Sequence, residues 1–307
     1  MTRLSGFAFP FRSTHVLILA AALVAPGCGK KADEGAAKPA GGKETLQNIG
    51  SDTMVNLAQA WAEAYAAVDP AVSVEVSGGG SGVGIAALLN GTANIANASR
   101  TMDSLEVAKA KAAGMDPKEF LVGYDGLAIY VHKDNPLNEI SIEQLGEIYR
   151  EGGKIDDWSA LGVKSIPGAK SSAIVRVSRQ NNSGTYQYFR EHVVGKKNDY
   201  KPGSLDMNGS KEVVELVAKT PGAIGYSGLG YATPEVKILK VSNKKGQPGV
   251  LPSIATVHDN SYPISRPLFM YTPGDPPEHV KKYIDWVMSD AGQKIVEESG
   301  YVPLPKK

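Results

Sequence analysis

The sequence predicts an α/β fold, with helices layered on mostly parallel sheets. Two observations predict it. Short apolar or alternating runs take turns with stretches of helical periodicity along most of the chain. Polar turns of one kind also recur where those runs end: Ser51-Asp52-Thr53, Ser81-Gly82, Ser99-Arg100, and the turn from Arg179 to Thr185. In open α/β sheets, ligands bind beyond the carboxyl ends of the strands. Hydroxyl-bearing loops with two arginines at the same sheet position point to one shared anion.

The chain has 307 residues, 42% of them apolar and 21% charged, which is enough for two globular domains. A net charge of +1 and sparse aromatics give no electrostatic case for nucleic acid. Residues 1–27 read as a secretory leader: Arg3 and Arg12 are followed by an apolar core, 16–25, too short to span a bilayer. Cys28 comes directly after it and is the only cysteine, so neither an internal disulfide nor a cysteine metal site is available. Its place matches that of the lipid-modified Cys of a lipobox, although Ala25 and Pro26 fit that motif imperfectly. Residues 28–44, rich in Gly, Ala and Lys, read as a flexible tether.

A strand over 45–49 ends at Gly50-Ser51-Asp52-Thr53. Met54, Leu57, Ala58, Trp61, Tyr65 and Val68 then mark one helical face, and Asp69-Pro70 stops that helix. Ser51, Asp52 or Thr53 would equally serve as its cap. A second strand, 72–76, runs into Ser77-Gly78-Gly79-Gly80-Ser81-Gly82 and a helix over 83–89. Glycines let backbone N–H groups approach a ligand closely. The run is not a Walker loop, since no Lys-Ser/Thr follows, and Val83 breaks a GxSxG pattern.

A third strand, 94–98, ends at Ser99-Arg100, and Asp103 with Glu106 marks a helix start. The β segment 120–132 is expected to break at Tyr124-Asp125-Gly126, because Asp125 is costly to bury there without a partner. Ser141 and Gln144 form a capping box for a helix through Arg150. The strand 174–177 then leads through Arg179 into Ser183-Gly184-Thr185, with Tyr186, Phe189 and Val193 at helical spacing. Helix starts carry free N–H groups, and a guanidinium with two hydroxyls suits a tetrahedral oxyanion. Alone, the stretch reads equally as a capped helix beside a surface arginine. Further on, 196–208 reads as loop, Ser210 as the cap of a helix bearing Val213, Val214 and Val217, and 223–226, 236–241 and 268–271 as strands. Helices over 278–288 and 291–298 follow.

Five stretches together resemble the substrate-binding proteins of phosphate ABC transporters, within the type II periplasmic binding protein fold. They are GSDTM from Gly50, GGGSGVGI from Gly78, GTANIANASR from Gly91, RQNNSGT from Arg179 and PGAIGYSGLGY from Pro221. The resemblance covers the chain from about Thr45 onward. It implies two α/β lobes, each a mostly parallel sheet flanked by helices, closing over the ligand. Lobe 1 would be 45–125 plus 262–307 and lobe 2 126–261, with crossovers near 123–127 and 262–269. It implies inorganic phosphate as ligand, held by Thr53, Ser81, Arg179, Ser183, Gly184 and Thr185, with Ser51 on the same loop as Thr53; Gly82, Ser99, Arg100 and Asp125 join the candidate site from the neighbouring polar turns and the first crossover. Permease subunits of an ABC transporter are the implied partner. The protein would be a monomer outside the cytoplasm, lipid-anchored to a bacterial membrane at Cys28, with no cofactor.

One departure matters. The best-known members of the family have an Asp after the Ala-Ser pair, where this chain has Arg100; many shorter members resemble this chain, with Arg there and a Tyr-Asp-Gly like that at Tyr124-Asp125-Gly126. A carboxylate there accepts the phosphate proton and repels sulfate, which has none to give. Asp125 is the expected replacement, with Asp52 as the other candidate. Other readings are a receptor for sulfate, molybdate or tungstate, and a phosphatase-type enzyme. Against the enzyme, His132, His192, His258 and His279 are scattered without metal-ligand spacing, and no serine stands in a nucleophile elbow.

Overall fold

The computed structural model describes residues 43–306. The leader, Cys28 and the tether as far as residue 42 lie outside the described residues. The chain opens with β1 (Glu44–Gly50), α1 (Val55–Val68), β2 (Val72–Ser77), α2 (Ser81–Leu89), β3 (Ile95–Ala98) and α3 (Ser104–Ala112). It continues through β4 (Lys118–His132), β5 (Glu139–Ser141), α4 (Ile142–Tyr149), β6 (Val175–Arg179) and α5 (Gly184–Phe189). Then come β7 (Leu205–Met207), α6 (Ser210–Lys219), β8 (Ala223–Gly228), β9 (Val236–Ile238) and β10 (Lys240–Ser242). It closes with α7 (Ile254–His258), β11 (Ser265–Thr272), α8 (Glu278–Val287) and α9 (Asp290–Glu298).

One hydrogen-bonded sheet runs in the order β2-β1-β3-β11-β4-β8-β6-β7, with β9 added to β4, and β5 pairs β10 separately. The two ends of the sheet are alike: β1 is parallel to β2 and β3, and β6 is parallel to β7 and β8. Between them lie the two long strands, β4 and β11, antiparallel to each other and to their outer neighbours β8 and β3. So β11, late in the chain, fills the slot between β3 and β4.

The period of two in a strand explains the layers. On β4, Leu127, Ile129 and Val131 enter one core with Tyr149, Phe189 and Tyr226, while Ala128 and Tyr130 enter another with Val213, Val214 and Val217. On β11, Leu268 and Met270 pack with Trp61, Tyr65 and Tyr283, while Phe269 and Tyr271 pack with Ile85 and Leu88. Each end of the sheet therefore has apolar layers on both faces. We call the end with β1–β3 the first half and the end with β6–β8 the second half. Burying each Val, Leu, Ile, Phe or Met side chain among these contributes roughly 1.5–3 kcal/mol.

The structure corrects several expected elements. β4 is one unbroken strand through Asp125, because the carboxylate has found a buried partner. The run expected as one strand over 236–241 splits, β9 pairing β4 and β10 pairing β5. The expected loop 196–208 contains β7, whose three residues add to the edge of β6. Ser210 does not cap α6; Gly209 precedes it without a side-chain cap bond. β5 and α7 were not expected, both being too short for a periodic signal.

Candidate functional site

The parallel strands of both halves end at the same place, and the polar turns meet there. The N-cap position of α1 is Met54, with no side-chain cap bond, so Ser51, Asp52 and Thr53 are free of that role. Ser51 Oγ donates to Ser99 Oγ at 2.9 Å. Ser81 Oγ accepts from the Ser99 N–H at 3.1 Å and lies 3.4 Å from Ser99 Oγ. All three serines are almost fully buried, an unusual place for a hydroxyl cluster.

The second half meets this cluster directly. Thr53 Oγ1 and Thr185 Oγ1 share a hydrogen bond of 2.8 Å. The Gly82 N–H donates to Asn182 O at 3.1 Å, and Asn182 Nδ2 donates to Gly79 O at 2.9 Å. Gly184 lies flush against the first half: a Cβ there would stand 2.3 Å from Ser81 Oγ and 2.8 Å from Ser99 Oγ. Gly80 has a φ of +100°, and a Cβ on it would fall 2.6 Å from Asn182 O. Both glycines are thus required by close approach. Ser183 does cap its helix, accepting from the Thr185 and Tyr186 N–H groups at 3.1 and 3.4 Å. Its own O–H proton stays available as a donor.

Two ion pairs complete the site. Arg179, fully buried, donates from Nη2 to Asp52 Oδ2 at 2.9 Å and to Asn208 O at 3.0 Å. Its Nη1 donates to Ser210 Oγ at 3.0 Å, which is what Ser210 does instead of capping. Arg179 Nε is buried without a partner. Asp52 also accepts from the Gly79 N–H at 2.8 Å. Burial pulls the Arg179 guanidinium below its ordinary pKa range, and Asp52 works against that shift.

The second pair joins Asp125 on β4 to Arg266 on β11, residues directly opposite in the strand register. Arg266 Nε and Nη2 donate to Asp125 Oδ2 at 3.0 and 2.8 Å, and both side chains are buried. Asp125 Oδ1 accepts from the Leu229 N–H at 3.0 Å. Arg266 Nη2 also reaches Thr53 Oγ1 and Thr185 Oγ1, each at 3.1 Å. Tyr301, near the C-terminus, braces the same turn, its hydroxyl donating to Thr53 O and lying 2.8 Å from Asn56 Oδ1. With two guanidiniums and two carboxylates, the assembly is formally neutral and rich in donors.

Of the expected residues, Ser51, Thr53, Ser81, Gly82, Ser99, Asp125, Arg179, Ser183, Gly184 and Thr185 come together here. Arg100 turns aside. Its guanidinium forms a two-pronged pair with Glu106, both bonds 2.7 Å, and Nη1 also donates to Thr101 O at 2.8 Å. Arg266 was not foreseen. Its signal was a charge inside a run of strand character, the same one that singled out Asp125. Among the described residues, no group of three or more His, Cys, Asp or Glu could hold a metal ion.

Two α/β halves joined through two long strands, with a buried polar site where their loops meet, define a solute-binding protein. In agreement, a family described as "PBP superfamily domain" matches residues 35–291. The phosphate-binding protein PstS of Pseudomonas aeruginosa is 34% identical over 95% of each chain. PstS of Staphylococcus saprophyticus is 32% identical over 93% of this chain and 86% of its own. A Clostridium perfringens protein described as a phosphate ABC transporter substrate-binding protein, with phosphate bound in its crystal structure, has a TM-score of 0.76 at 32% identity; the match covers 85% of this chain and 100% of that one. An ABC-type phosphate transport receptor from Vibrio cholerae gives 0.65 at 28% identity, over 85% of this chain and 100% of its own. The chain belongs to the PstS family, whose members have the two-lobed type II periplasmic binding protein fold and act as binding proteins, not enzymes.

Proposed function

We propose that this protein captures inorganic phosphate between its two halves and hands it to the permease of an ABC transporter. The observation that carries the reading is the meeting of hydroxyl loops from both halves at two buried guanidiniums, within a family of phosphate-binding proteins. Ser51, Thr53, Ser81 and Ser99 supply donors from one side. Arg179, Ser183, Gly184 and Thr185 supply them from the other, and the Gly82 N–H closes the seam. Arg100 belongs to the start of α3, its charge being met by Glu106. Lobes of 45–125 plus 262–307 and 126–261 hinge on β4 and β11, and ligand contacts on both sides drive closure.

The test is a thermal-shift panel of phosphate, sulfate, arsenate and molybdate on protein stripped of ligand. Phosphate at about 100 times its Kd adds about 2.7 kcal/mol, roughly 5 °C for a chain of this size. A shift with another anion but none with phosphate would refute the reading. Turnover of a chromogenic phosphate ester would replace it with an enzyme.

Anchoring is a further part of the proposal. Cleavage after residue 27 leaves Cys28 as a lipid-bearing N-terminus, and the tether lets the binding unit stand off a bacterial membrane and reach a permease. Among the described residues, no helix is long and apolar enough to cross a membrane. The wild-type protein is expected in the detergent phase of a cloud-point partition, and Cys28→Ser in the aqueous phase. Equal partition of the two would refute the anchor.

A further inference from the structure

Arg266 has more hydrogen-bonding capacity than its ion pair uses. A guanidinium carries five N–H donors in two forked edges. The edge formed by Nε and Nη2 is satisfied by Asp125 Oδ2. Pinning β4 to β11 would need nothing more. The other edge, Nη1 and Nη2, faces the ligand loops. Nη2 reaches the Thr53 and Thr185 hydroxyls, which come from opposite halves. Nη1 has only a long bond, 3.4 Å, to Ser99 O. Three mobile-proton or donor groups thus touch one another: the two threonine oxygens are 2.8 Å apart, and each is 3.1 Å from Nη2. Hydroxyls can rotate to donate to an incoming oxygen, and a two-donor guanidinium edge matches an oxyanion in a bidentate manner.

We propose that Arg266 is itself an oxyanion-binding residue, presenting its Nη1–Nη2 edge to the ligand from the strand that joins the halves. Asp125 is then a positioning residue, the counter-charge that orients this arginine, and is not the acceptor of the ligand's proton. The inference deepens the phosphate reading and rests on it.

Titration calorimetry on the full chain, stripped of ligand, tests the assignment, with phosphate and sulfate as probes. The double variant Asp125→Leu/Arg266→Met replaces the pair by apolar groups of similar size and is expected to fold. It should bind phosphate about 100-fold more weakly, the scale of losing charge-assisted hydrogen bonds. Arg266→Lys keeps the charge but not the fork and should lose about 10-fold. Asp125→Asn should leave the ratio of phosphate to sulfate affinity within about 3-fold of wild type, since the ligand proton is not held there.

Affinity within about 3-fold of wild type in the double variant or in Arg266→Lys would make Arg266 a strand pin only. The lysine variant decides alone if the double variant does not fold. Asp125→Asn binding sulfate as well as phosphate would return the proton to Asp125. If wild-type protein binds sulfate, arsenate or molybdate in place of phosphate, the functional reading fails. The same variants titrated with that anion still decide the role of Arg266. A wild-type protein that binds none of the four removes both.

Discussion

The two ion pairs of the site are built alike but held differently. Asp125 and Arg266 face each other across adjacent strands of a continuous sheet, both wholly buried. Separating them means pulling β4 from β11. Asp52 and Arg179 are 127 residues apart in sequence, one on the turn after β1 and the other at the end of β6. Their carboxylate keeps 16% side-chain exposure, and the rest of the contact between the halves is made by loops. Nothing in the sheet forces that pair to persist. One pair is therefore part of the frame, and the other joins loops of the two halves. Under the proposed hinge motion, opening would part Asp52 from Arg179 and leave that arginine's positive charge uncompensated for an approaching anion.

Breaking the framed pair should have the largest effect. Asp125→Ala strands a buried guanidinium and should destabilise ligand-free protein by about 3–5 kcal/mol in urea unfolding. A loss below about 1 kcal/mol would show that water reaches Arg266. Next comes Gly184→Ala, which touches neither pair but puts a methyl into the seam against Ser81 and Ser99. Phosphate affinity should fall about 30-fold, or about 2 kcal/mol, while ligand-free stability holds. Unchanged affinity in calorimetry would mean that the seam does not close this tightly in solution.

Asp52→Asn probes the conditional pair itself. Arg179 keeps Ser210 and Asn208, so the stability loss should be about 1 kcal/mol, well below that of Asp125→Ala. Equal losses at the two aspartates would erase the distinction drawn between the pairs. Smallest is Arg100→Ala, expected to weaken phosphate binding less than about 3-fold, because its guanidinium already serves Glu106. A loss above about 30-fold would put Arg100 back among the ligand contacts.

The hydroxyl half of the site was legible in the sequence because its signals are local. A strand end, a glycine and a Ser or Thr fall within a few residues, and the α/β pattern says that such ends converge. The charge pairing was not legible. Nothing local tells Asp52 that its partner is Arg179, or Ser210 that its hydroxyl will receive that arginine instead of capping α6. Asp125 stands out as a charge inside a strand, and Arg266 carries the same mark in the strand that follows Ile264. Both fall in the expected crossovers, so requiring a partner for each would have paired them. The unbroken β4 has the same cause, seen from the backbone. A strand expected to break at an unpaired Asp continues through it once that Asp is paired, its one register shift against β11 falling at Val122 instead.

Synthesis proceeds from the N-terminus, yet β11 fills the slot between β3 and β4. Until residues 265–272 leave the ribosome, β3 and β4 have bare edges, and Tyr301 comes later still to brace Thr53. The first half therefore cannot finish folding during translation, although most of it is made first. For a chain with the proposed leader, that delay would keep the polypeptide threadable through a membrane before it becomes compact. Chains truncated ahead of Ser265 should exchange first-half backbone amides freely with solvent. A protease-resistant first half in such a truncation would show that it folds without its late strand.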